Sequence, residues 1–394
     1  MSGKHKTPML DELEKGPWPS FITEIKKATK IGPMADDELG QLEKSFKTKR
    51  GYWKHGGIVG VLGYGGGVIG RYSSLPEEFP NVAHFHTVRL NQPSGFFYTA
   101  EALRMICDIW DKYGSGITNM HGSTGDLVLL GTTTENLEPL FAEYSSRGWD
   151  LGGSGSAMRT PSCCVGQARC EWACIDTMAI CNHLTQHFQD ELHRPAYPYK
   201  FKIKVSGCAC DCVAAIARAD CSIIGTWKGN IQIDQAEVKK YADGGMDIQS
   251  EIIDMCPTDC MSYNGGQIKI NDVQCNRCMH CIAKMTKALR PGKERGASIL
   301  IGSKAPIVVG SLLSWVIVPF IKADAPFDEI TDLIDKIIEW WDDNAKPRER
   351  IGELIEVKGM RPFLEAIGVP PQPQQVREPR KDPFFFWSES DFTN

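Results

Sequence analysis

Two cysteine-rich stretches decide how this sequence is interpreted, CCVGQARC at residues 163–170 and SGCACDC at residues 206–212. The first contains a C-x5-C pair, Cys164 and Cys170, and the second contains a C-x3-C pair, Cys208 and Cys212. Clustered cysteines in a large chain are typical of metal binding, whereas a secreted disulfide scaffold spreads its cysteines through a short chain. The other cysteines beside these pairs are interpreted as small buried hydrophobic residues.

The composition indicates a protein of a reducing compartment. Fourteen of the 15 cysteines lie within residues 163–281, and the N-terminal residues lack the apolar segment of a signal peptide, so we expect a cytoplasmic protein. The longest apolar stretch, residues 305–321, is shorter than the roughly 20 residues that a bilayer requires, which predicts buried core and no transmembrane segment. A net charge of −5 argues against a nucleic-acid partner, because domains that bind nucleic acid are usually basic.

The chain of 394 residues, 42% of them hydrophobic, is long enough for more than one domain. We predict an N-terminal arm at 1–50 with one short helix near 10–30, a mixed α/β domain at 51–150, a domain formed by 151–230 and 291–365, an inserted module at 231–290, and a C-terminal tail at 366–394. Within the α/β domain, periodicity predicts strands at 84–90 and 126–131 and helices at 99–113 and 133–147. An amphipathic helix is predicted after Pro326.

A second cysteine group contains the motif C-x2-C-x2-C, formed by Cys275, Cys278 and Cys281. Three thiolates in one tight loop are typical of a bacterial ferredoxin [4Fe–4S] cluster. The usual motif continues to a further cysteine, but this chain has Met285 at that place. A structural zinc ion is the alternative, although zinc ligands usually come as two separated CxxC pairs.

The fourth ligand of this second group must come from elsewhere in the chain. Cys256, Pro257 and Cys260 lie upstream. The Cys-Pro dipeptide favours Cys256, since proline turns the chain away from the cluster, but spacing alone leaves Cys260 open.

The pattern C-x5-C…C-x3-C resembles the signature of the sirohaem-dependent sulfite and nitrite reductases, and the adjacent CCVGQARCEWAC and KVSGCACDC resemble dissimilatory α subunits. The resemblance implies an α+β fold, with ferredoxin-like α/β domains interrupted by an inserted bacterial ferredoxin-type [4Fe–4S] module. It also implies that one cluster is bound by Cys164, Cys170, Cys208 and Cys212. Cys212 would bridge this cluster to the sirohaem iron.

Alternating lysines precede the C-x3-C pair, in the sequence YKFKIKV. In a strand, Lys200, Lys202 and Lys204 would share one face, which by itself is also typical of a solvated edge strand. The family uses a Lys-x-Lys pair and two arginines to bind its anionic substrate. The resemblance therefore implies substrate-binding roles for Arg89, Arg159, Lys200 and Lys202, with the two lysines as proton relays.

Sirohaem carries eight carboxylates, so it requires many cationic and polar partners. The stretch ITNMHGSTGD resembles the family's macrocycle-contacting segment. The candidates for macrocycle binding are Arg71, Thr118, Asn119, His121, Ser123, Thr124, Lys204 and Arg218.

A GxGxxG motif at residues 65–70 follows an apolar stretch. A dinucleotide site also requires an acidic residue about 20 positions further on, at the end of a second strand. The next strand ends in Arg89 and Leu90, so we interpret the glycines as a turn or as a close approach of the backbone to the macrocycle.

The resemblance implies six-electron reduction of sulfite to sulfide, or to a trisulfide on a small sulfur-carrier protein. The implied cofactors are sirohaem, or its iron-free form, and two [4Fe–4S] clusters. The implied partners are a homologous β subunit in an α2β2 heterotetramer and an electron donor. Three alternatives stay open: the reverse oxidation of carrier persulfide, a cluster-bearing subunit whose own macrocycle is inactive, and an electron-transfer ferredoxin fusion without sirohaem.

Overall fold

The computed structural model describes residues 5–16, 20–121, 124–194, 197–304 and 312–371. These residues form two compact units. Unit 1 comprises the described residues up to Thr160 together with Phe188–Lys200, and unit 2 comprises Pro161–His187 and the described residues from Phe201 onward. No helix in these ranges combines the length and apolar character needed to cross a bilayer.

The described α-helices are α1 (Pro8–Glu14), α2 (Phe21–Ala28), α3 (Pro33–Thr48), α4 (Ala100–Tyr113), α5 (Leu137–Ser146), α6 (Thr177–His187), α7 (Gln189–His193), α8 (Ala215–Arg218), α9 (Gln235–Asp243), α10 (His280–Lys284), α11 (Asp328–Asn344), α12 (Ile351–Lys358) and α13 (Met360–Ala366). The described strands are β1 (Trp53–Ile58), β2 (Val68–Ser73), β3 (His86–Asn91), β4 (Gly114–His121), β5 (Asp126–Thr132), β6 (Ser162–Cys163), β7 (Ile203–Ser206), β8 (Cys221–Lys228), β9 (Gln232–Ile233), β10 (Met261–Asn264), β11 (Gln267–Ile270), β12 (Leu289–Arg290), β13 (Glu294–Ile301) and β14 (Trp315–Ile321).

Unit 1 is built on an antiparallel sheet with the strand order β1-β2-β3-β5-β4. Helix α4 connects β3 to β4, and its N-terminus is capped by the Thr99 hydroxyl, which accepts a hydrogen bond from the Ala102 amide at 3.0 Å. Ile106, Ile109 and Trp110, at helical spacing, are buried against the sheet. The strands and helices predicted from periodicity in this part of the chain are therefore present.

The N-terminal arm contains the three helices α1–α3, where the sequence predicted one. The short α2 begins at Ser20, whose hydroxyl accepts from the Ile22 amide, and prolines occupy the first turns of α1 and α3. Apolar residues of these helices, including Leu10, Ile22 and Leu39, form a core of their own. The prediction was wrong because it merged two short helices across a break and did not include α3.

Unit 2 is built on a mixed sheet with the strand order β14-β13-β8-β7-β6. The pairs β6–β7 and β7–β8 are parallel, whereas β8–β13 and β13–β14 are antiparallel. Helix α11 is the amphipathic helix predicted after Pro326, and its apolar face, which includes Ile330, Ile334 and Trp341, is buried. The sheet places the end of β7 directly before the second cysteine pair.

The segment between β8 and β13 packs around a buried cluster that it shares with Cys174, Cys208 and Trp227 of the same unit. Its two ends pair as β9 and β12, with Ile233 opposite Leu289. Between them lie α9, the hairpin β10–β11 and α10. Gly265 and Gly266 form the hairpin turn with φ of 59° and 78°, a conformation that favours glycine.

Candidate functional site

The thiols of the first cysteine group, Cys164, Cys170, Cys208 and Cys212, come together in unit 2. Partial burial raises the pKa of the Cys212 thiol, and the neighbouring Cys164, Cys210 and Cys170 raise it further, which places these thiols within electrostatic range of Cys212. Burial likewise raises the pKa of Cys208, and the charges of Cys210 and Cys170 add to the shift. The two pairs defined by spacing therefore lie near one another, and Cys210, which was interpreted as buried but is exposed, lies beside Cys208 and Cys212.

Main-chain contacts hold this first group in place. The Cys164 amide donates to the Val205 carbonyl at 3.1 Å, which continues the parallel β6–β7 pairing. The Gly207 amide donates to Cys164 Sγ at 3.2 Å. These two contacts fix the position of the Cys164 thiol beside the residue that precedes Cys208.

Five cysteines of the second group line one cavity in the inserted segment: Cys256, Cys260, Cys275, Cys278 and Cys281. Burial raises the pKa of the Cys281 thiol to about 12, and Cys275, Cys278 and Cys256 raise it further. These four thiols therefore surround a common space. Their number and softness fit an iron–sulfur cluster.

Cys256 and Cys260 remain close alternatives in the structure. Their sulfur atoms lie 3.5 Å apart, and both thiols line the cavity. Cys256 acts on the pKa of Cys281 and Cys260 acts on that of Cys275, so both thiols lie near the C-x2-C-x2-C group. The choice between them stays a prediction.

No three His, Cys, Asp or Glu side chains among the described residues are arranged to hold a single metal ion. A [4Fe–4S] cube is held differently, because each thiolate binds a different iron. The donor sets of the two cysteine groups fit two such clusters.

The three alternating lysines do not share one strand face. Strand β7 begins at Ile203, so Lys204 alone of the three lies in it. Lys204 is 1% exposed, and its ammonium donates to the Ser162 hydroxyl at 2.9 Å. Burial lowers the pKa of Lys204 to about 8, and the carboxylate of Asp211 opposes that shift.

Lys202 lies outside the strand because its backbone amide binds a side chain instead of the backbone of a neighbouring strand. Its amide donates to Asp220 Oδ2 at 2.8 Å, while its carbonyl accepts from the Cys221 amide at 3.0 Å. Lys200 is the last residue of its segment in unit 1, and its ammonium lies 4.9 Å from the ring centre of Tyr199. Both lysine side chains are half-buried.

Unit 1 contains a group of arginines around one buried carboxylate. Arg89 Nη1 donates to Asp126 Oδ2 and to Thr124 Oγ1, each at 3.0 Å. Burial lowers the pKa of Arg71, and the charge of Arg89 lowers it further, so these two guanidinium groups lie close to each other. Asp126 is fully buried and also accepts from the Thr160 hydroxyl at 2.6 Å.

In this group of described side chains, the positive charges of the arginines outnumber the negative charge of the carboxylate. Arg89 and Arg159 both act on the carboxyl of Asp126 and oppose the rise in pKa that burial causes, and Arg71 lies close to Arg89. Among the described residues, the buried Arg89 Nε has no hydrogen-bond partner. Such a site is suited to an anion, because arginine keeps its charge and presents a planar set of donors.

The other predicted residues are positioned as follows. Arg159 Nη1 donates to the Gly155 carbonyl at 2.8 Å and is nearly buried. On β4, Thr118 and Asn119 are exposed, and His121 Nδ1 lies 3.2 Å from the Thr124 hydroxyl. Arg218 ends α8, is exposed, and acts on the pKa of Lys204. Ser123 lies outside the described residues.

The GxGxxG loop connects the antiparallel strands β1 and β2 and leads into a strand, not a helix. The Gly67 amide donates to Ser154 Oγ at 2.8 Å, and a Cβ at Gly67 would lie 2.6 Å from that of Leu151. The glycines therefore allow the loop to pack against the chain's own backbone.

Sequence reasoning missed Asp126, Asp220 and Trp227. Both carboxylates stand at the start of apolar strands, and a charged residue in such a position is the signal that could have found them. Trp227 lines the cavity of the second cysteine group, and no local motif indicates it.

Comparison with known proteins identifies the family. Residues 154–372 match the model of the nitrite and sulphite reductase 4Fe-4S domain, and residues 79–145 match the nitrite/sulfite reductase ferredoxin-like half domain. The chain belongs to the nitrite and sulphite reductase family. This result confirms the α+β fold class, and it makes the chain an oxidoreductase.

Within the nitrite and sulphite reductase family, the chain groups with the dissimilatory sulfite reductase α subunits. It is 50% identical to the α subunit from Nitratidesulfovibrio vulgaris, over 98% of this chain and 95% of that protein. It also matches a crystal structure of dissimilatory sulfite reductase I with a TM-score of 0.90 and 52% identity, over 98% of this chain and 96% of that one.

A β subunit is also related to this member of the family. The dissimilatory sulfite reductase β subunit from Archaeoglobus fulgidus is 26% identical over 85% of this chain and 90% of that protein. The relationship is consistent with α–β assembly.

Proposed function

We propose that this chain catalyses, together with a β subunit, the six-electron reduction of sulfite at a sirohaem–[4Fe–4S] centre. The product is sulfide or a trisulfide on a small sulfur-carrier protein. The observation that supports the proposal is that Cys164, Cys170, Cys208 and Cys212 lie near one another, with the Gly207 amide, directly before Cys208, donating to Cys164 Sγ at 3.2 Å. The family model that covers these residues is that of a 4Fe-4S domain.

The first cysteine group would hold one [4Fe–4S] cluster, with the exposed Cys212 as the bridge to the sirohaem iron. When bound, the macrocycle and its cluster supply the redox chemistry. The chain's own polar side chains would hold the macrocycle's carboxylates: Arg71, Thr118, Asn119, His121, Ser123, Thr124, Lys204 and Arg218. The clustered cations of unit 1 and the buried ammonium of Lys204 support this assignment.

Arg89, Arg159, Lys200 and Lys202 would bind the substrate anion. The excess of positive charge around Asp126 supports the role of Arg89, since a fixed cation in a poorly solvated site stabilises an anion strongly. Hydrogensulfite takes up six electrons and six protons to give hydrosulfide and three water molecules. The ammonium groups of Lys200 and Lys202 would deliver protons to the oxygens that leave as water.

The second cysteine group would hold a ferredoxin-type [4Fe–4S] cluster with Cys256, Cys275, Cys278 and Cys281 as ligands. The cavity that these thiols surround supports this assignment. Electrons from an external donor would enter here and pass to the first group. We further propose an α2β2 assembly in the cytoplasm, which the related β subunits support in its α–β part.

The test is the Lys202→Met variant of the complex with its β subunit. We expect loss of sulfite-dependent oxidation of reduced methyl viologen, with unchanged iron content and an unchanged visible spectrum. Lys322→Met, an exposed lysine in the same unit, is the matched control and should retain activity. Full activity of the Lys202 variant, or a wild-type complex without a sirohaem absorption band, would refute the proposal.

A further inference from the structure

Strand β8 connects the two cysteine groups within unit 2. The residues on one face of this strand are Cys221, Ile223, Gly225 and Trp227, because side chains alternate along a strand. Gly225 and Trp227 are therefore neighbours on this face, about 7 Å apart along the strand. Each contacts a different cysteine group.

Gly225 lies against the first group. A Cβ at this position would be only 2.1 Å from the Gly207 carbonyl oxygen and 3.3 Å from Cβ of Cys174. Gly207 is the residue whose amide donates to Cys164 Sγ at 3.2 Å, and it directly precedes Cys208. The backbone of β8 at Gly225 therefore packs directly against Gly207, the residue that contacts Cys164 and precedes Cys208.

Trp227 lies against the second group. Its side chain is 2% exposed and lines the cavity together with the five cysteines. The guanidinium of Arg277, between Cys275 and Cys278, lies 5.8 Å from its ring centre. The indole therefore forms part of the wall of the space that the thiols surround.

One continuous buried cluster joins these contacts. It contains Cys174, Cys208 and Trp227 together with Cys260 and Met279, and Cys256, Cys275 and Cys281 pack against it. Protein interiors are close-packed, so this path contains few gaps. Electron transfer between two fixed centres depends steeply on distance and on the packing of the atoms between them.

We propose that β8 is the route of electron transfer between the two cysteine groups, with Trp227 as the side chain that closes the gap to the second group. The inference rests on the proposed function, because it requires a cluster in each group. In each transfer, one electron would pass from a reduced cluster held by the second group to an oxidised cluster held by the first. No bond breaks and no proton moves, and reduced viologen supplies the electron.

Trp227 acts here as a positioning residue and not as a redox centre. Its indole fills the space between the β8 backbone and the second group, so a smaller side chain would leave a gap with fewer contacting atoms. Trp227→Leu should therefore slow the transfer without changing either donor set.

The experiment follows the two clusters separately in the purified complex. Wild type and Trp227→Leu are mixed rapidly with reduced methyl viologen and freeze-quenched, and electron paramagnetic resonance records the reduction of each cluster over time. We expect the second group to be reduced at the wild-type rate and the first to be reduced about tenfold more slowly, equivalent to about 1.4 kcal/mol in the barrier. Redox titration should give unchanged midpoint potentials.

Trp315→Leu is the matched control, since Trp315 is equally buried in the same unit but belongs to neither the cavity wall nor the cysteine-containing cluster. It should leave both rates unchanged. Equal rates in Trp227→Leu and wild type, with both cluster signals present, would overturn the inference. A wild-type complex that lacks one of the two signals would instead overturn the proposed function.

If Trp227→Leu loses a cluster signal, Trp227→Phe serves as the second test of the inference. Its smaller ring preserves an aromatic wall, and we expect a transfer rate below that of wild type with both signals intact. A wild-type rate in Trp227→Phe would then overturn the inference.

Discussion

Arg350 donates from Nε and Nη2 to the two carboxylate oxygens of Asp220, at 2.6 and 2.7 Å, in the interior of unit 2. Both side chains are almost fully buried. The same carboxylate accepts the amide of Lys202 at 2.8 Å. A buried charge pair thus fixes the backbone of a residue to which we assign substrate binding.

Removal of one partner leaves an uncompensated buried charge. We expect Arg350→Met to destabilise the protein by about 3–5 kcal/mol. Thermal unfolding of the complex measures this as a lower transition temperature. Lys112→Met, which breaks a solvent-accessible pair with Glu143, should lower the transition temperature far less and serves as the control. Similar losses in the two variants would contradict the assignment.

The Arg89–Asp126 pair allows structural and binding roles to be separated. The variant Arg89→Met should unfold more easily and lose sulfite turnover, because it leaves the buried Asp126 carboxyl without its ion-pair partner, at a cost of about 3–5 kcal/mol. The double variant Arg89→Met, Asp126→Asn removes both charges. It should recover most of the lost stability but none of the sulfite turnover. Recovered turnover would show that Arg89 has no role in binding substrate.

His86 should make the stability depend on pH. Its side chain is fully buried, its Nδ1 accepts the Arg71 amide at 3.2 Å, and its Nε2 lies 2.9 Å from the Thr134 hydroxyl. Burial lowers the pKa of His86 to about 4, from an ordinary value of 6.5.

The unfolded chain therefore binds a proton between these two pH values that the folded chain does not bind. The contribution of His86 to stability is complete above pH 6.5 and is lost as the pH falls towards 4, by at most about 1.4 kcal/mol for each pH unit. Unfolding measured between pH 4 and 7 tests this expectation. His86→Gln should show a shallower dependence, and an unchanged slope would contradict it.

The two upstream cysteines of the inserted segment can be distinguished by substitution. Cys256→Ser should remove one cluster, seen as the loss of about four iron atoms per chain and of one paramagnetic signal. Cys260→Ser is the matched control, because its sulfur lies only 3.5 Å away, and it should retain both clusters. The opposite pattern would assign Cys260 as the ligand.

Local sequence patterns predicted much of the fold. Ile106, Ile109 and Trp110 repeat at helical spacing, and Cys164, Cys170, Cys208 and Cys212 stand in a family-specific order, so both features are visible without a structure. The alternating Lys200, Lys202 and Lys204 suggested a single strand. The structure differs because the backbone amide of Lys202 binds the side chain of Asp220, which is distant in sequence, and not the backbone of a neighbouring strand.

The remaining features depend on contacts between distant segments. Asp126 becomes the partner of Arg89 only through the pairing of β3 with β5, where Asn91 stands opposite Asp126. Trp227 lies beside the second cysteine group only because two strand pairs, β9 with β12 and β8 with β13, hold the ends of the inserted segment together. No property of these residues within their own neighbourhoods indicates such partners.

The pairing of β8 with β13 has a consequence for how the protein can be rebuilt. Lys228, the last residue of β8, stands opposite Glu294, the first residue of β13, so the chain leaves and re-enters the sheet at a single point. In topological terms, residues 229–293 occupy the place of a hairpin loop. A short turn could join the two strands without altering their register, and Cys174, Cys208 and Trp227 would then lose the part of their buried cluster that the excised segment supplies.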